Sequence, residues 1–226
     1  MSRGVKAVVF DLDGTLLDRR SSFERFVRDQ WKRFTKSLHT VDQEQYVQAA
    51  VRFDGDGYAP RRELFARTLA QFELPLDTAE TLLSDYRAGF PSACVLFPDA
   101  ARILASLRAS GLKLGLITNG SVRMQSRKLD RLDLAPAFDT ILISDAEGIS
   151  KPDPRIFHRA MERLNVTPAR SAFVGDHPVV DVAGARGAGM QAIWRRDPGV
   201  SMMVEADAVI EELSDLPSVL GLEEAR

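Results

Sequence analysis

The chain is poor in cysteine and has no excess of charge of one sign. Cys94 is the only thiol among 226 residues, which excludes an intrachain disulfide and any zinc site that needs several thiolates. The 30 basic residues nearly balance the 32 acidic ones, so the formal net charge is only -2. Such a balance favours neither a nucleic acid polymer nor an anionic membrane as a partner.

Long apolar runs are also missing. No stretch approaches the roughly 18 apolar residues that a membrane-spanning helix requires. The first residues lead into a short strand-like run and not into the apolar segment of a signal peptide. The composition, 45% apolar and 27% charged, is ordinary for a folded protein. We therefore expect a soluble, cytoplasmic protein that is long enough for one large core and a smaller appended lobe.

Strand-like and helical patterns alternate in most of the chain. Short apolar runs predict strands near 5–10, 112–118, 140–144, 172–175, 192–194 and 208–210. Helical periodicity predicts helices near 122–132, 153–164 and 179–188. Strands that alternate with helices form parallel βαβ units, so the pattern predicts a doubly wound α/β sheet.

The segment from residue 19 to 92 is different, because the strand pattern disappears there. Aromatic residues recur at helical spacing, and turn residues separate helices predicted near 23–34, 41–51, 61–72 and 78–88. We predict a small all-helical domain over residues 19–92, inserted after the first strand of an α/β domain formed by residues 1–18 and 93–226. Most of its aromatic rings are expected to build its own core.

Two carboxylates follow the first predicted strand. Asp11 and Asp13 are two residues apart, so their side chains start on the same face of the chain. Gly14 allows a sharp turn directly after them. An ordinary strand followed by an Asp-Gly turn explains this motif equally well when it is taken alone. However, the carboxyl end of a strand is where open α/β sheets bind their ligands.

Three further strand ends carry similar chemistry. Thr118 and Asn119 place a hydroxyl and an amide before a helix N-terminus, although Asn119 or Ser121 could simply cap that helix. Lys151 lies in a proline-rich turn before the next helix, where a surface lysine would be unremarkable. Asp176 and Asp181 add two carboxylates after a fourth strand. Each signal is weak alone, but their agreement in order and position predicts one site.

These four motifs resemble those of the haloacid dehalogenase superfamily of hydrolases. The similarity rests on Asp11-Leu12-Asp13-Gly14-Thr15, Thr118-Asn119, Lys151-Pro152-Asp153 and Gly175-Asp176 with Asp181. It spans nearly the whole chain. The resemblance implies a Rossmann-like core, and it implies that the inserted helices are a cap of the first cap class.

The resemblance also implies a role for each motif residue. Asp11 matches the nucleophile that forms an aspartyl-phosphate, and Asp13 matches the general acid and base. Thr118 and the backbone of Asn119 match the positions that hold the phosphate. Lys151 matches the cation that offsets charge on the nucleophile and on the transferring group.

A magnesium ion is implied by the same resemblance. Its protein ligands would be the Asp11 carboxylate, the Asp13 backbone carbonyl and the Asp176 carboxylate, which are the hard oxygen donors that Mg2+ prefers. Asp181 is expected to orient the motif lysine or a metal-bound water. Val180 stands where many relatives carry Asn or Asp, so one polar group of the fourth motif is lost.

The sequence thus predicts a Mg2+-dependent phosphomonoester hydrolase that acts on a small soluble phosphometabolite, such as a nucleotide, a sugar phosphate or a small acid phosphate. The family also contains 2-haloacid dehalogenases, phosphonatases and phosphomutases, and these alternatives stay open. Asp13 favours phosphoryl chemistry, because dehalogenating relatives usually lack that acid. A non-enzymatic binding protein on this scaffold is disfavoured, since every core motif residue is present.

Four residues flank the turn at 54–58 of the inserted helices, and we consider them as substrate contacts. These residues are Arg52, Tyr58, Arg61 and Arg62. The identity of the substrate and the oligomeric state stay open at this stage.

Overall fold

The structure is a computed structural model that describes residues 4–197 and 204–222. The chain divides into two compact units: a sheet unit, made of the residues up to Leu17 and those from Leu96 onward, and a helical unit, Asp18–Val95. Within the described ranges, no helix is both long enough and apolar enough to cross a membrane.

The sheet unit is built on a parallel sheet with the strand order β3-β2-β1-β4-β5-β6. Its strands are β1 (Ala7–Phe10), β2 (Lys113–Thr118), β3 (Thr140–Ile143), β4 (Ser171–Gly175), β5 (Gln191–Arg195) and β6 (Ala208–Ile210). Phe10, the last residue of β1, pairs with Leu116 on one side and with Val174 on the other. This confirms the predicted doubly wound α/β sheet, with the first strand at its centre.

The helical unit contains α1 (Arg19–Arg33), α2 (Thr35–Leu38), α3 (Gln43–Asp54), α4 (Arg61–Gln71) and α5 (Thr78–Ala93). Asp18 caps α1 by accepting the backbone N–H of Ser21, and Asp42 caps α3 in the same way. Aromatic rings fill the interior, where Tyr86 stacks on Phe90 at 4.9 Å between ring centroids. The unit therefore has an aromatic core of its own, as its sequence pattern indicated.

The helices of the sheet unit are α6 (Ala100–Ala109), α7 (Val122–Leu132), α8 (Ser144–Glu147), α9 (Pro154–Leu164), α10 (Gly184–Gly187) and α11 (Leu216–Val219). Buried apolar side chains of α9, such as Phe157, pack with Phe173 of β4 and Trp194 of β5 in one hydrophobic cluster. The sequence patterns did not predict α6, although its buried Ile103, Leu104 and Leu107 follow helical spacing.

One predicted helix is wrong in its geometry. The segment predicted as a helix over 179–188 forms a π-helical turn, Pro178–Ala183, followed by the short α10. The ring Nδ1 of His177 accepts the N–H groups of Val179 and Val180, so these first backbone donors of the turn have a hydrogen-bond acceptor. The Asp181 side chain then lies very close to Gly175, because a Cβ added at residue 175 would be 2.4 Å from the Cβ of Asp181. Turns of this type often occur at functional sites.

Candidate active site

The predicted motif residues converge at one edge of the sheet. Asp11 follows β1, Thr118 ends β2 and Asp176 follows β4, at the carboxyl ends of neighbouring parallel strands. From β1 the chain first adds β2 and β3 on one side of the sheet and then returns to place β4 on the other side. A crevice at such a reversal of strand order is the usual ligand site of open α/β sheets.

The loop after β1 is closed tightly by its own backbone. The carbonyl of Leu12 accepts the N–H of Leu16 at 3.1 Å and that of Leu17 at 2.9 Å. Gly14 has a φ of +85°, and a Cβ there would lie 2.4 Å from an Asp176 carboxylate oxygen. Only glycine is compatible with both conditions, so Gly14 allows the first loop and Asp176 to approach each other.

Lys151 connects two of the carboxylates. Its Nζ lies 2.5 Å from Asp11 Oδ1 and 2.7 Å from Asp181 Oδ1. The other oxygen of Asp181 accepts the backbone N–H of His177 at 3.0 Å. All three charged side chains of this triad are buried. Asp181 therefore holds the ammonium group against Asp11.

Burial and charge shift the pKa values of this cluster. Burial raises the pKa of Asp11, and the nearby Asp181 carboxylate adds to that increase while Lys151 opposes it. Burial also raises the pKa of Asp176, with Asp181 and Asp11 adding further repulsion. Burial alone would lower the pKa of Lys151, but the Asp11 and Asp181 carboxylates raise it above its usual value. The site thus stabilises positive charge and disfavours additional negative charge.

A divalent cation fits this environment. One carboxylate oxygen from each of Asp11, Asp176 and Asp181 lies within 4.8 Å of the others. Thr15 donates its hydroxyl to Asp176 at 3.4 Å, and the indole of Trp194 donates to the Asp176 backbone carbonyl at 2.8 Å. Hard oxygen donors in a partly buried pocket with unbalanced negative charge suit Mg2+. Both oxygens of Asp181 are engaged, Oδ1 by Lys151 and Oδ2 by the His177 N–H, whereas Lys151 contacts Asp11 at Oδ1. Asp11 and Asp176 are therefore the better candidates for ligands.

The second motif, Thr118-Asn119, is not the cap of the helix that follows it. The side-chain amide of Asn119 bonds the backbone of Lys151 twice, donating to its carbonyl at 2.9 Å and accepting its N–H at 3.0 Å. The helix cap is provided instead by Ser121, which accepts the N–H of Met124. Thr118 is fully buried. Asn119 therefore fixes the turn that carries the lysine, while its backbone remains part of the loop after β2.

Two further residues of the site were missed by sequence reasoning. Lys128 Nζ lies 2.7 Å from each carboxylate oxygen of Asp13. Gln125 donates to Asp13 Oδ2 at 3.0 Å and to the Thr118 hydroxyl at 2.5 Å. Both are buried residues of α7. The sequence shows only that these two polar residues share a helical face with Leu129, where apolar residues are expected, and it does not show which residue they contact.

The candidate residues of the helical unit have neighbours of their own. Arg61 bonds the buried carboxylate of Asp54 and the carbonyl of Gly57. Arg62 pairs with Glu80, and Arg52 bonds Gln71; both arginines are exposed. The Tyr58 side chain is also exposed. Within this unit, Arg61 is thus tied to the fold, whereas the other three remain on its surface.

Comparison with known proteins identifies the family. Residues 5–189 match the family model described as haloacid dehalogenase-like hydrolase. The chain is 31% identical to the glyceraldehyde 3-phosphate phosphatase of Methanothermobacter thermautotrophicus, over 96% of this chain and all of that protein. A shorter match, 48% identity over 99 residues, links it to the phosphoserine phosphatase of Thermus thermophilus and covers 44% of this chain and 40% of that protein.

Solved structures agree with this assignment. A haloacid dehalogenase-family phosphatase from Thermococcus onnurineus matches with a TM-score of 0.67 and 30% identity, covering 98% of this chain and 100% of its own. A 2-haloacid dehalogenase from Pseudomonas syringae matches with a TM-score of 0.59 and 31% identity, over 96% and 98% of the two chains. This chain therefore belongs to the haloacid dehalogenase-like hydrolase family, and it is a hydrolase of the phosphatase type.

Proposed function

We propose that this phosphatase is a Mg2+-dependent phosphomonoester hydrolase in which Asp11 is the nucleophile. The observation that carries the proposal is the buried contact between Asp11 and Lys151, next to Asp176 at the carboxyl edge of the sheet. A carboxylate held beside a fixed cation can attack phosphorus while the added negative charge is neutralised.

In the first step, a carboxylate oxygen of Asp11 forms a bond to phosphorus and the bond from phosphorus to the ester oxygen breaks. Asp13 donates a proton to the departing alkoxide. Lys151 offsets the charge that the phosphoryl group brings against Asp11, and Asp181 keeps the ammonium in place. The loop backbone after Thr118 donates to the phosphoryl oxygens.

In the second step, water attacks the aspartyl-phosphate. Asp13, now ionised, accepts a proton from that water, and the bond between Asp11 and phosphorus breaks to release inorganic phosphate. When bound by the Asp11 carboxylate, the Asp13 carbonyl and the Asp176 carboxylate, Mg2+ would supply electrostatic screening between the phosphate and the acidic cluster.

The substrate is proposed to be a small soluble phosphate ester. Relatives named glyceraldehyde 3-phosphate phosphatase and phosphoserine phosphatase favour a three-carbon compound within this class. The helical unit is proposed to act as the cap that selects the leaving group, with Arg52, Tyr58 and Arg62 as its exposed candidates. Small sugar phosphates and nucleotides are the wider group to be screened.

The test is hydrolysis of 4-nitrophenyl phosphate and of a panel of natural phosphate esters, with Mg2+ and with excess chelator. We expect phosphate release that requires Mg2+ and is abolished by Asp11→Asn. A panel containing glyceraldehyde 3-phosphate and phosphoserine addresses the substrate. 2-Chloropropionate serves as the contrasting substrate, because one solved relative is a 2-haloacid dehalogenase. Metal-independent chloride release without phosphate release would overturn the proposal.

A further inference from the structure

The buried face of α7 is formed largely by polar side chains. Gln125 and Lys128 are 2% and 5% exposed, and Leu129 is the apolar residue beside them. Lysine is rarely buried to this degree unless its charge is paired. The partner of Lys128 is Asp13, whose side chain retains 23% of its accessible surface. The helix thus directs a shielded cation toward a carboxylate that is itself partly exposed.

The contacts fix Asp13 from two directions. Lys128 Nζ is equidistant from both carboxylate oxygens, at 2.7 Å, and the Gln125 amide reaches Oδ2 at 3.0 Å. Gln125 is itself anchored to the hydroxyl of Thr118. Gly120, with a φ of +138°, leaves the space that Gln125 occupies, since a Cβ there would lie 3.2 Å from the glutamine side chain. These bonds restrict the rotation of the Asp13 side chain.

A stabilising role alone accounts poorly for this arrangement. Replacing a buried ion pair with apolar side chains of similar size is often neutral or stabilising, so such a pair is weak evidence for stability. Proton transfer, in contrast, depends strongly on orientation, because the donor oxygen must lie within hydrogen-bond reach of the leaving group. Lys128 and Gln125 supply that orientation to Asp13.

We propose that Lys128, supported by Gln125, is a positioning residue that holds the Asp13 carboxyl group for proton transfer to the leaving group. The proposal rests on the proposed function, since it assigns a role within the same reaction. It predicts that the fall in activity on removing Lys128 depends on how strongly the leaving group needs a proton. A 4-nitrophenolate departs without a proton, whereas a more basic phenolate needs one.

The experiment compares kcat/KM of Lys128→Met for phenyl phosphate and for 4-nitrophenyl phosphate, because kcat/KM reports the step in which the ester oxygen departs. We expect a ~10- to 100-fold fall with phenyl phosphate and less than a ~3-fold fall with the nitrophenyl ester. Gln125→Met should give a smaller difference of the same sign. Lys128→Arg should recover part of the loss. Arg131→Met removes an exposed cation from the same helix and is the matched control.

A double variant separates positioning from general damage. In an Asp13→Asn background, Lys128→Met should cause no further selective loss with phenyl phosphate, because the group that it orients is already gone. Equal losses with both esters in the single variant, or an additive loss in the double variant, would overturn the proposal. A wild-type protein that hydrolyses no phosphate ester would instead refute the proposed function, and a melting temperature for each variant identifies any that fail to fold.

Discussion

Each unit of the chain buries charged side chains, but the balance of charge is opposite. In the helical unit, one carboxylate serves two guanidinium groups: Asp54 accepts from Arg19 at 2.9 Å and also pairs with Arg61. In the sheet unit, three neighbouring carboxylates share one ammonium group: Asp11 and Asp181 both contact Lys151, and Asp176 lies beside them.

The helical cluster is closed by its own neighbours. The Arg19 guanidinium lies 5.3 Å from the ring centroids of both Phe23 and Phe90, and the Arg61 guanidinium lies 5.6 Å from that of Tyr86. Its cations therefore face aromatic rings and one shared carboxylate. These contacts all lie within the helical unit, and they offset the charge of both guanidinium groups. With its three carboxylates and Lys151 all ionised, the sheet cluster has an excess of two negative charges, which a divalent cation would neutralise. Paired charges thus support the fold of the helical unit, whereas the excess of carboxylates in the sheet cluster favours the binding of a cation.

The largest effect should come from removing the nucleophile in the sheet cluster. Asp11→Asn is expected to lower kcat by at least ~10³-fold, because an amide cannot form the phosphorylated intermediate. Its melting temperature should not fall, since one of several mutually repelling carboxylates is removed. Activity and thermal melting, measured on the same preparation, check both parts. Retention of wild-type turnover would show that Asp11 is not the nucleophile.

The same substitution in the helical cluster should have the opposite outcome. Asp54→Asn leaves one buried and one partly buried guanidinium group without their shared anion, and we expect the free energy of unfolding to fall by about 3 kcal/mol. Urea denaturation measures the change, while Mg2+ affinity of the folded protein should be retained. The exposed Asp130 provides the control, because Asp130→Asn removes a charge without breaking a buried pair. A stability equal to wild type would mean that the Asp54 cluster is not structural.

Removing a proposed metal ligand should have an intermediate effect. Asp176→Asn is expected to weaken Mg2+ binding by ~10- to 100-fold, because one anionic oxygen donor is replaced by a neutral one. Isothermal titration calorimetry measures the affinity directly, without depending on turnover. Asp181→Asn is the informative comparison, since it should act mainly through Lys151. If the Asp176 variant bound Mg2+ like the wild type, the ligand assignment would have to be abandoned.

The sequence predicted the sheet and the edge at which the candidate site residues lie, because strand periodicity and strand-end chemistry are local properties. Asp11, Thr118 and Asp176 could be located by counting from a strand end. The contact of Lys128 with Asp13 joins residues 115 positions apart, and nothing in the local pattern specifies it. The π-helical turn was not predicted either. The side chain of His177 caps its start, and histidine is not one of the residues that usually indicate the start of a helix.

Measured per pH unit and per proton, the smallest expected effect is the pH dependence of Mg2+ binding to the sheet cluster. Burial raises the pKa of Asp11 and Asp176, so in the metal-free protein these groups keep protons at a pH where an exposed aspartate is ionised. Mg2+ must displace those protons, and its affinity should therefore rise with pH until the raised pKa values are passed, by at most ~10-fold per pH unit for each proton released.

Calorimetry between about pH 5.5 and pH 8, in two buffers of different ionisation enthalpy, measures the affinity and counts the protons together. Asp176→Asn removes one titrating ligand, so it should release fewer protons at the lower pH. An affinity that stays constant over this range, with no proton release, would show that the carboxylates are ionised before the metal binds and that Lys128 and Lys151 suffice to keep them so.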